Sequence, residues 1–402
     1  MKIALLNTLY PPLATGGAEF SVFSLAGGLA KAGNKVIVIT IGREDSISDE
    51  HGVKCYRCRN TNVYHPADAK KNNALKKLPW HLIDLYNVAA AKQVEGILNK
   101  EKPDVLHCHN IDGFSCLAWS VCNKLKIPVI QHFHDYHFVC FHADLLRKNL
   151  QECQNLSFAC KLRSKYHALM MSRYVNHIVS PSQYCYTRNM AYLNEKTREL
   201  PFSIIPNGTD FNLLEPVLPD WDADEFNILY LGRLAANKGV NVLLEAMEKL
   251  ATMDMKIKLN IAGSGPLENN VKVAAQNNRN LIYHGFVQNE SKIALFRRAH
   301  FMIFPSIWNE NNPVAVTEAL AIGLPVIGSN LGGTPELLDT YGEVALLKEV
   351  TSSSIVEKIK LLYKERDFLK NYGRHVLAKR EKYSLTGQIS STCELYKTVI
   401  NQ

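Results

Sequence analysis

The sequence predicts two doubly wound α/β domains. Short apolar runs of strand length alternate with amphipathic stretches of helix length, and the second half of the chain repeats the scheme of the first. The 402 residues, 47% of them apolar, are enough for two ordinary cores.

In the first half, strands are expected at Ile3–Leu6, Lys35–Ile41, Val53–Cys58, Asp104–His107, Pro128–Phe133, His177–Ser180 and Ile204–Pro206. In the second they are expected at Asn227–Leu231, Lys258–Ala262, Leu281–His284, Phe301–Phe304 and Val326–Ser329. Helices between most of them imply parallel sheets covered on both faces. The Pro- and Asp-rich stretch from Pro206 to Glu225 reads as the linker, and Tyr383–Ile400 as a final amphipathic helix. The domains are therefore placed at residues 1–205 and 206–383, with the helix of residues 384–402 joining the first. In open α/β sheets, ligands bind at the carboxyl ends of strands, which is where the motifs below fall.

No stretch approaches the roughly 20 apolar residues of a membrane span. The apolar run of MKIALLNTLYPP is cut off at Asn7 and Pro11, too short for a signal peptide, so a cytoplasmic location is expected. The ten cysteines are then read as mostly reduced thiols. Cys55 and Cys58 would point to opposite faces of a strand, which makes a poor metal clamp. Cys140, Cys153 and Cys160, with His142 nearby, are irregularly spaced, and their binding anything stays open.

Residues 1–205 hold 25 Lys and Arg against 16 Asp and Glu; the remainder holds 21 against 22. All of the net +8 thus lies in the first half, which suggests an anionic partner for that domain. No basic-aromatic recognition motif is visible, so no nucleic acid is expected. Lys70, Lys71, Lys76 and Lys77 stand beside leucines and Trp80, which suits a peripheral contact with an anionic membrane, with a solvated loop as the alternative. Pro79 is expected to prevent a long continuous helix there.

The most informative segment runs from Phe304 to Glu336. Glu310 and Glu318 stand with seven residues between them, on either side of a strand-to-helix junction. Asn312-Pro313 reads as an N-cap followed by proline at the first helical position, and Gly323 as the helix stop. A helix start offers N–H groups and positive dipole to a phosphate, and the two glutamates offer acceptors for hydroxyls. Further along the strand ends, Gly232-Arg233 and Asn237-Lys238-Gly239 place two cations where a departing diphosphate would need them. Gly263-Ser264-Gly265-Pro266 and His284-Gly285-Phe286-Val287 follow two further strands, and Gly16-Gly17 opens the first helix. Glycine there would allow close approach to a phosphate or base. Histidines cluster at two strand ends: His107, His109, His132, His134 and His137. Asp222-Ala223-Asp224 reads as a solvated acidic loop. Nothing else gathers hard oxygen ligands, so no required metal and no cofactor are expected.

The segment from Phe304 to Glu336 resembles the donor-binding signature of retaining glycosyltransferases of family 4, which have the GT-B fold. The resemblance rests on Glu310, Asn312-Pro313, Glu318-Ala319, Gly323, Pro325-Val326-Ile327, Gly332-Gly333 and Pro335-Glu336. It implies two Rossmann-like domains facing across a cleft, and transfer of a sugar from a UDP- or GDP-sugar to a glycan or lipid-linked acceptor. It further implies that Arg233 and Lys238 neutralise the diphosphate and that Glu318 accepts from ribose. Glu310 would contact the sugar with the Asn311 and Asn312 backbone and Pro313 beside it. Gly232, Gly263, Gly265, Phe286 and Val287 would line the nucleotide, Gly16 and Gly17 would face donor and acceptor, and His134 would lie near the transferred sugar. Asp135 is a weaker candidate on the acceptor side, and the leaving phosphate would take the acceptor's proton. Two rival classes share the phosphate-site features: a nucleotide-sugar isomerase of the same fold, such as an epimerase, and a non-catalytic nucleotide-sugar sensor.

Overall fold

The first strand, β1 (Lys2–Leu6), is buried along all but its first residue, the pattern of a strand inside a parallel sheet. A computed structural model describes residues 1–13, 16–147, 151–210, 219–221 and 223–402. The chain divides into two compact units, Met1–Pro206 with Leu385–Gln402, and Asn207–Ser384.

The first unit continues through α1 (Gly17–Lys31), β2 (Lys35–Gly42), β3 (Ser46–Glu50), β4 (Val53–Arg59), α2 (Ala74–Leu85) and α3 (Val88–Glu101). Then follow β5 (Val105–Cys108), α4 (Leu117–Leu125), β6 (Val129–His132), α5 (Phe158–Tyr174), β7 (His177–Ser180), α6 (Gln183–Met190), α7 (Glu195–Arg198) and β8 (Phe202–Ile204). Its sheet runs β3-β4-β2-β1-β5-β6-β7-β8, so the winding reverses between β1 and β5. All pairs are parallel except β3 with β4.

The second unit comprises β9 (Phe226–Leu231), α8 (Val240–Ala251), β10 (Ile257–Ala262), α9 (Glu268–Asn277), β11 (Leu281–Tyr283), α10 (Asn289–Arg298) and β12 (Phe301–Phe304). It goes on with α11 (Val314–Ala321), β13 (Val326–Ser329), α12 (Thr334–Leu338), β14 (Leu346–Leu347), α13 (Ser352–Lys364) and α14 (Arg366–Ala378). Its parallel sheet runs β11-β10-β9-β12-β13-β14, reversing between β9 and β12.

The last helix, α15 (Leu385–Ile400), returns to the first unit. Leu395, Tyr396 and Val399 enter the core formed by Ile3, Leu5, Leu25, Leu29 and Ile130. Apolar side chains at that helical spacing form the stripe a core-facing helix needs.

One polar knot ties β1 and β4, two inner strands of the first sheet, to α3. Glu101, at the end of α3, accepts from Lys2 and Lys54 at 2.6 Å each, and from the Tyr56 hydroxyl. Burial works against the Glu101 charge, but these three donors outweigh it and hold the carboxyl down to about 2.

Four expectations are corrected. Ser46–Glu50 forms an antiparallel edge strand that the sequence reading passed over, because its residues are mostly exposed and polar. The last strand of the first sheet lies at Phe202–Ile204 rather than Ile204–Pro206, registered by Ile205 N–H donating to the Ser180 carbonyl. Pro79 does not stop the helix in the lysine-rich segment. It sits inside α2, which Asn73 caps by accepting from Lys76 N–H. Its missing N–H forfeits only one bond of an exposed helix. Trp80, read with the lysines as part of a membrane-contacting segment, is 5% exposed; it stacks on Tyr64 and donates Nε1–H to the Tyr64 carbonyl at 3.0 Å. Residues 211–218 and Asp222 of the expected linker lie outside the described residues. Asp224 is exposed and paired with Lys256 at 2.6 Å.

Candidate active site

In the second unit, the carboxyl ends of β9 and β12 meet at the sheet's switch point, and most of the predicted donor residues gather there. Glu310 lies in the loop after β12 and is 5% exposed. Its Oε1 accepts from Lys238 Nζ and, at 2.8 Å, from the Ser306 hydroxyl. Lys238 ends a short turn after β9, and its ammonium stands 4.7 Å over the Trp308 ring.

Gly239 explains why this turn can approach β12. Its φ is +73°, and a Cβ there would lie 1.8 Å from the Pro305 carbonyl oxygen. Only glycine permits that contact, which brings Lys238 to Glu310. The other side of Glu310 is fixed by Gly333 N–H, which donates to its carbonyl at 2.6 Å.

Arg233 is exposed just past β9. Its carbonyl accepts from the Tyr230 hydroxyl at 3.0 Å, and among the described residues no ion pair engages its guanidinium. Glu318, in the second turn of α11, accepts from Lys292 of α10 at 2.6 Å. Phe286 is 68% exposed and Val287 half-buried in the loop between β11 and α10.

Three local readings change. Asn312 is not the N-cap of α11. Pro313 takes that place, its carbonyl accepting from Val316 and Thr317, while Asn312 Oδ1 accepts from Asn207 N–H at 3.2 Å. Among the described residues no side chain caps α11, so its first N–H groups keep their capacity for an anion. Lys238, assigned to the diphosphate alone, is already bonded to Glu310. Gly263 is glycine for the sake of the chain itself: at φ +144°, a Cβ would lie 1.9 Å from the Gly232 carbonyl oxygen. Gly265 presses likewise on Leu234. Lys292, Ser306 and Trp308 were missed, because their roles come from side chains that meet only in the fold.

In the first unit, α1 begins at Gly17 with Gly16 as N-cap. The chain's own Glu19 folds back over that helix start, and the Gly16 and Glu19 N–H groups favour its charge. Burial dominates, however, and raises its carboxyl above the usual range. The helix start read as a phosphate contact is thus partly served by an internal carboxylate. Asp135 Oδ1 accepts from His137 N–H at 2.9 Å and lies 3.0 Å from its ring Nδ1.

His107 lies in β5 and His109 just beyond its end, while His132 ends β6 and His134 lies just beyond it. Because His107 pairs with Ile130, all four fall on one face of the sheet. His134 is half-buried, stacks on His132 at 4.2 Å and hydrogen-bonds His109 at 2.8 Å through Nε2. Burial pushes the ring pKa values down, to about 4 for His134 and about 3 for His107, with those of His109 and His132 well below the usual range.

Cys140, Cys153 and Cys160 are free thiols and, among the described residues, form no ligand cluster with other His, Cys, Asp or Glu. An open cavity of about 750 Å³, lined by Leu244, Val273, Asn277 and Leu281 among others, contains none of the site residues.

Comparison with known proteins fits this geometry. The family model described as Glycosyl transferases group 1 matches residues 219–377, and that described as Glycosyltransferase Family 4 matches residues 15–213. An uncharacterized 42.6 kDa protein of the cps region of Klebsiella pneumoniae is 31% identical, over 87% of this chain and 91% of its own length. The chain belongs to glycosyltransferase family 4. The transferase is also 23% identical to the O-antigen chain mannosyltransferase C of Escherichia coli, over 100% of this chain and 99% of that one. Its fold matches the sucrose-phosphate synthase of Thermosynechococcus elongatus with a TM-score of 0.75 at 18% identity, covering 100% and 99% of the two chains. The transferase has the GT-B fold, built of two parallel-sheet α/β units.

Proposed function

We propose that this enzyme moves a sugar, with retention of anomeric configuration, from a nucleotide-sugar donor to a glycan or lipid-linked acceptor in cell-surface polysaccharide or glycoconjugate synthesis. The observation that carries the reading is the Lys238–Glu310–Ser306 cluster beside the exposed Arg233, at the switch point of the second sheet. Arg233 and Lys238 neutralise the diphosphate as the glycosidic bond breaks. Glu310, with the backbone of Asn311 and Asn312, orients the sugar, and Glu318, held by Lys292, receives the ribose hydroxyls. Gly232, Gly263, Gly265, Phe286, Val287 and Pro313 shape the nucleotide's surroundings. In the first unit, Gly16, Gly17 and His134 contact the transferred sugar and its phosphate. Retention, with no second catalytic base assigned, leaves the departing phosphate to take the acceptor's proton. The relatives' cps-region and O-antigen names support a surface-polysaccharide role.

A screen of UDP-, GDP- and ADP-sugars by thermal shift identifies the donor; a ligand at 100 times its Kd stabilises by about 2.7 kcal/mol. Incubation of that donor with crude membrane lipid then separates the readings. A transferase releases free nucleotide only when lipid is present. An isomerase alters the donor without acceptor, and a sensor turns over nothing.

The proposal includes a peripheral contact with anionic membrane from a cytoplasmic location. Among the described residues no helix is long and apolar enough to cross a membrane. Instead α2 exposes Leu75, Leu78 and Leu82 beside Lys76 and Lys77. Next to it α5, joined through the Tyr166 hydroxyl to the Leu85 carbonyl at 2.7 Å, exposes Phe158, Leu162 and Leu169 beside Lys161 and Lys165. Exposed leucines flanked by lysines suit an interfacial helix.

A further inference from the structure

The strand-end histidines hold more than the sugar-transfer reading uses. We propose that His107, His109 and His132 bind one borderline divalent metal ion, Zn²⁺ being the natural fit. Their ligand nitrogens lie within 4.8 Å of one another, and each residue is 2% exposed or less. The rings of His107 and His109 stand 4.2 Å apart, and that of His132 lies 5.2 Å from His109.

Among the described residues, four of the trio's six ring nitrogens have no hydrogen-bond partner: Nε2 of His107, Nε2 of His109, and both of His132. Buried polar atoms are seldom left so, and packing alone gives no reason for four in one place. The two engaged nitrogens are arranged as a metal site requires. His107 Nδ1 meets the Tyr396 hydroxyl at 2.7 Å, and His109 Nδ1 meets His134 Nε2 at 2.8 Å. In the tautomers that donate Nδ1–H to these partners, both Nε2 atoms keep lone pairs available to a metal, and Tyr396 and His134 act as the outer partners that orient ligating imidazoles. Tetrahedral Zn²⁺, with Zn–N bonds of about 2.0–2.1 Å, puts ligand nitrogens roughly 3.4 Å apart. The trio must therefore contract, and among the described residues no hydrogen bond resists a turn of the His132 ring.

Three imidazoles favour Zn²⁺, Ni²⁺ or Cu²⁺ over the hard cations Mg²⁺ and Ca²⁺. Among the described residues no fourth His, Cys, Asp or Glu joins the group, so water completes the tetrahedron. The ion ties β5 to β6 and, through Tyr396, to α15. The transfer chemistry proposed above does not pass through it.

The test uses the full chain, stripped with chelator, loaded with Zn²⁺ and freed of excess by buffer exchange. Mass spectrometry of the metal should find one Zn²⁺ per chain in the wild type and less than a tenth of that in His132→Gln. Zn²⁺ should raise the wild-type melting temperature alone, and Co²⁺ should give the visible bands of a four-coordinate site. Tyr396→Phe keeps all three ligands and should weaken Zn²⁺ affinity about 10- to 100-fold, which tests the site if His132→Gln fails to fold. A wild type that retains no Zn²⁺ overturns the proposal. So does equal retention by the wild type and a folded His132→Gln, or by the wild type and Tyr396→Phe at limiting Zn²⁺.

Discussion

Lys238 and Glu310, 72 residues apart in sequence, share one ion pair at the second sheet's switch point, with the Ser306 hydroxyl on the same carboxylate oxygen. The cation proposed for the diphosphate and the carboxylate proposed for the sugar therefore hold each other in place. Removing Lys238 leaves a nearly buried carboxylate with one neutral donor. Lys238→Met should cost about 1–3 kcal/mol of stability, and the double variant with Glu310→Gln less than the sum of the singles. Urea unfolding of the four proteins measures it; strict additivity would show that the pair is not coupled.

Among the described residues Arg233 has no such internal ion-pair partner. Arg233→Ala should leave stability within about 0.5 kcal/mol of wild type while weakening the free nucleoside diphosphate and the sugar nucleotide alike, by roughly 1.5–3 kcal/mol. Titration calorimetry with both ligands decides the matter, and unchanged affinities would remove Arg233 from the diphosphate site.

The two glutamates should separate. Glu310→Gln should depress turnover while nucleoside-diphosphate affinity stays nearly intact. Glu318→Gln, which also loosens Lys292, should weaken the free diphosphate. Equal effects of both changes on nucleotide affinity would contradict the split. On the other unit, His134→Ala should lower turnover at least tenfold with the melting temperature down by no more than about 4 °C. A large drop in melting temperature with turnover kept would mark a packing histidine.

Acid stability should report the Glu101 knot. Its folded pKa, about 2, lies below the usual unfolded value of about 4.3. The stabilisation is thus complete above the unfolded value and is lost as pH falls from about 4.3 toward 2. Allowing for solvent screening of the exposed Lys54, roughly 1–2 kcal/mol is at stake. Urea midpoints of wild type and Glu101→Gln should differ at pH 7 and converge near pH 2–3. A constant difference would show that the charge does not matter.

Membrane contact is checked by co-sedimentation. Binding should rise with anionic lipid, fall with salt, and weaken both in Lys76→Gln/Lys77→Gln and in Leu75→Ser/Leu78→Ser. A wild type that stays in the supernatant with anionic liposomes at low salt would favour a soluble acceptor.

The parallel strands were legible because strands such as Phe301–Phe304 and Val326–Ser329 are buried throughout and read as unbroken apolar or small-residue runs. Edge strand Ser46–Glu50 carries no such signal, since solvent tolerates any residue there. In the site, the motif residues beside strand ends could be named from spacing, but their partners could not. Lys292 meets Glu318 across two helices, and Trp80 is taken inside by Tyr64, 16 residues away along the chain. Such contacts depend on which elements become neighbours, and single-sequence periodicity carries no record of that.

The return of α15 bears on the order in which the protein can mature during synthesis. The core around Ile3, Leu5 and Leu29 lacks Leu395, Tyr396 and Val399 until the ribosome has passed them. By then the whole of Asn207–Ser384 has been made. The part of the chain translated first should therefore be the last to gain full protease resistance, waiting through the folding of its younger neighbour with one apolar wall uncovered.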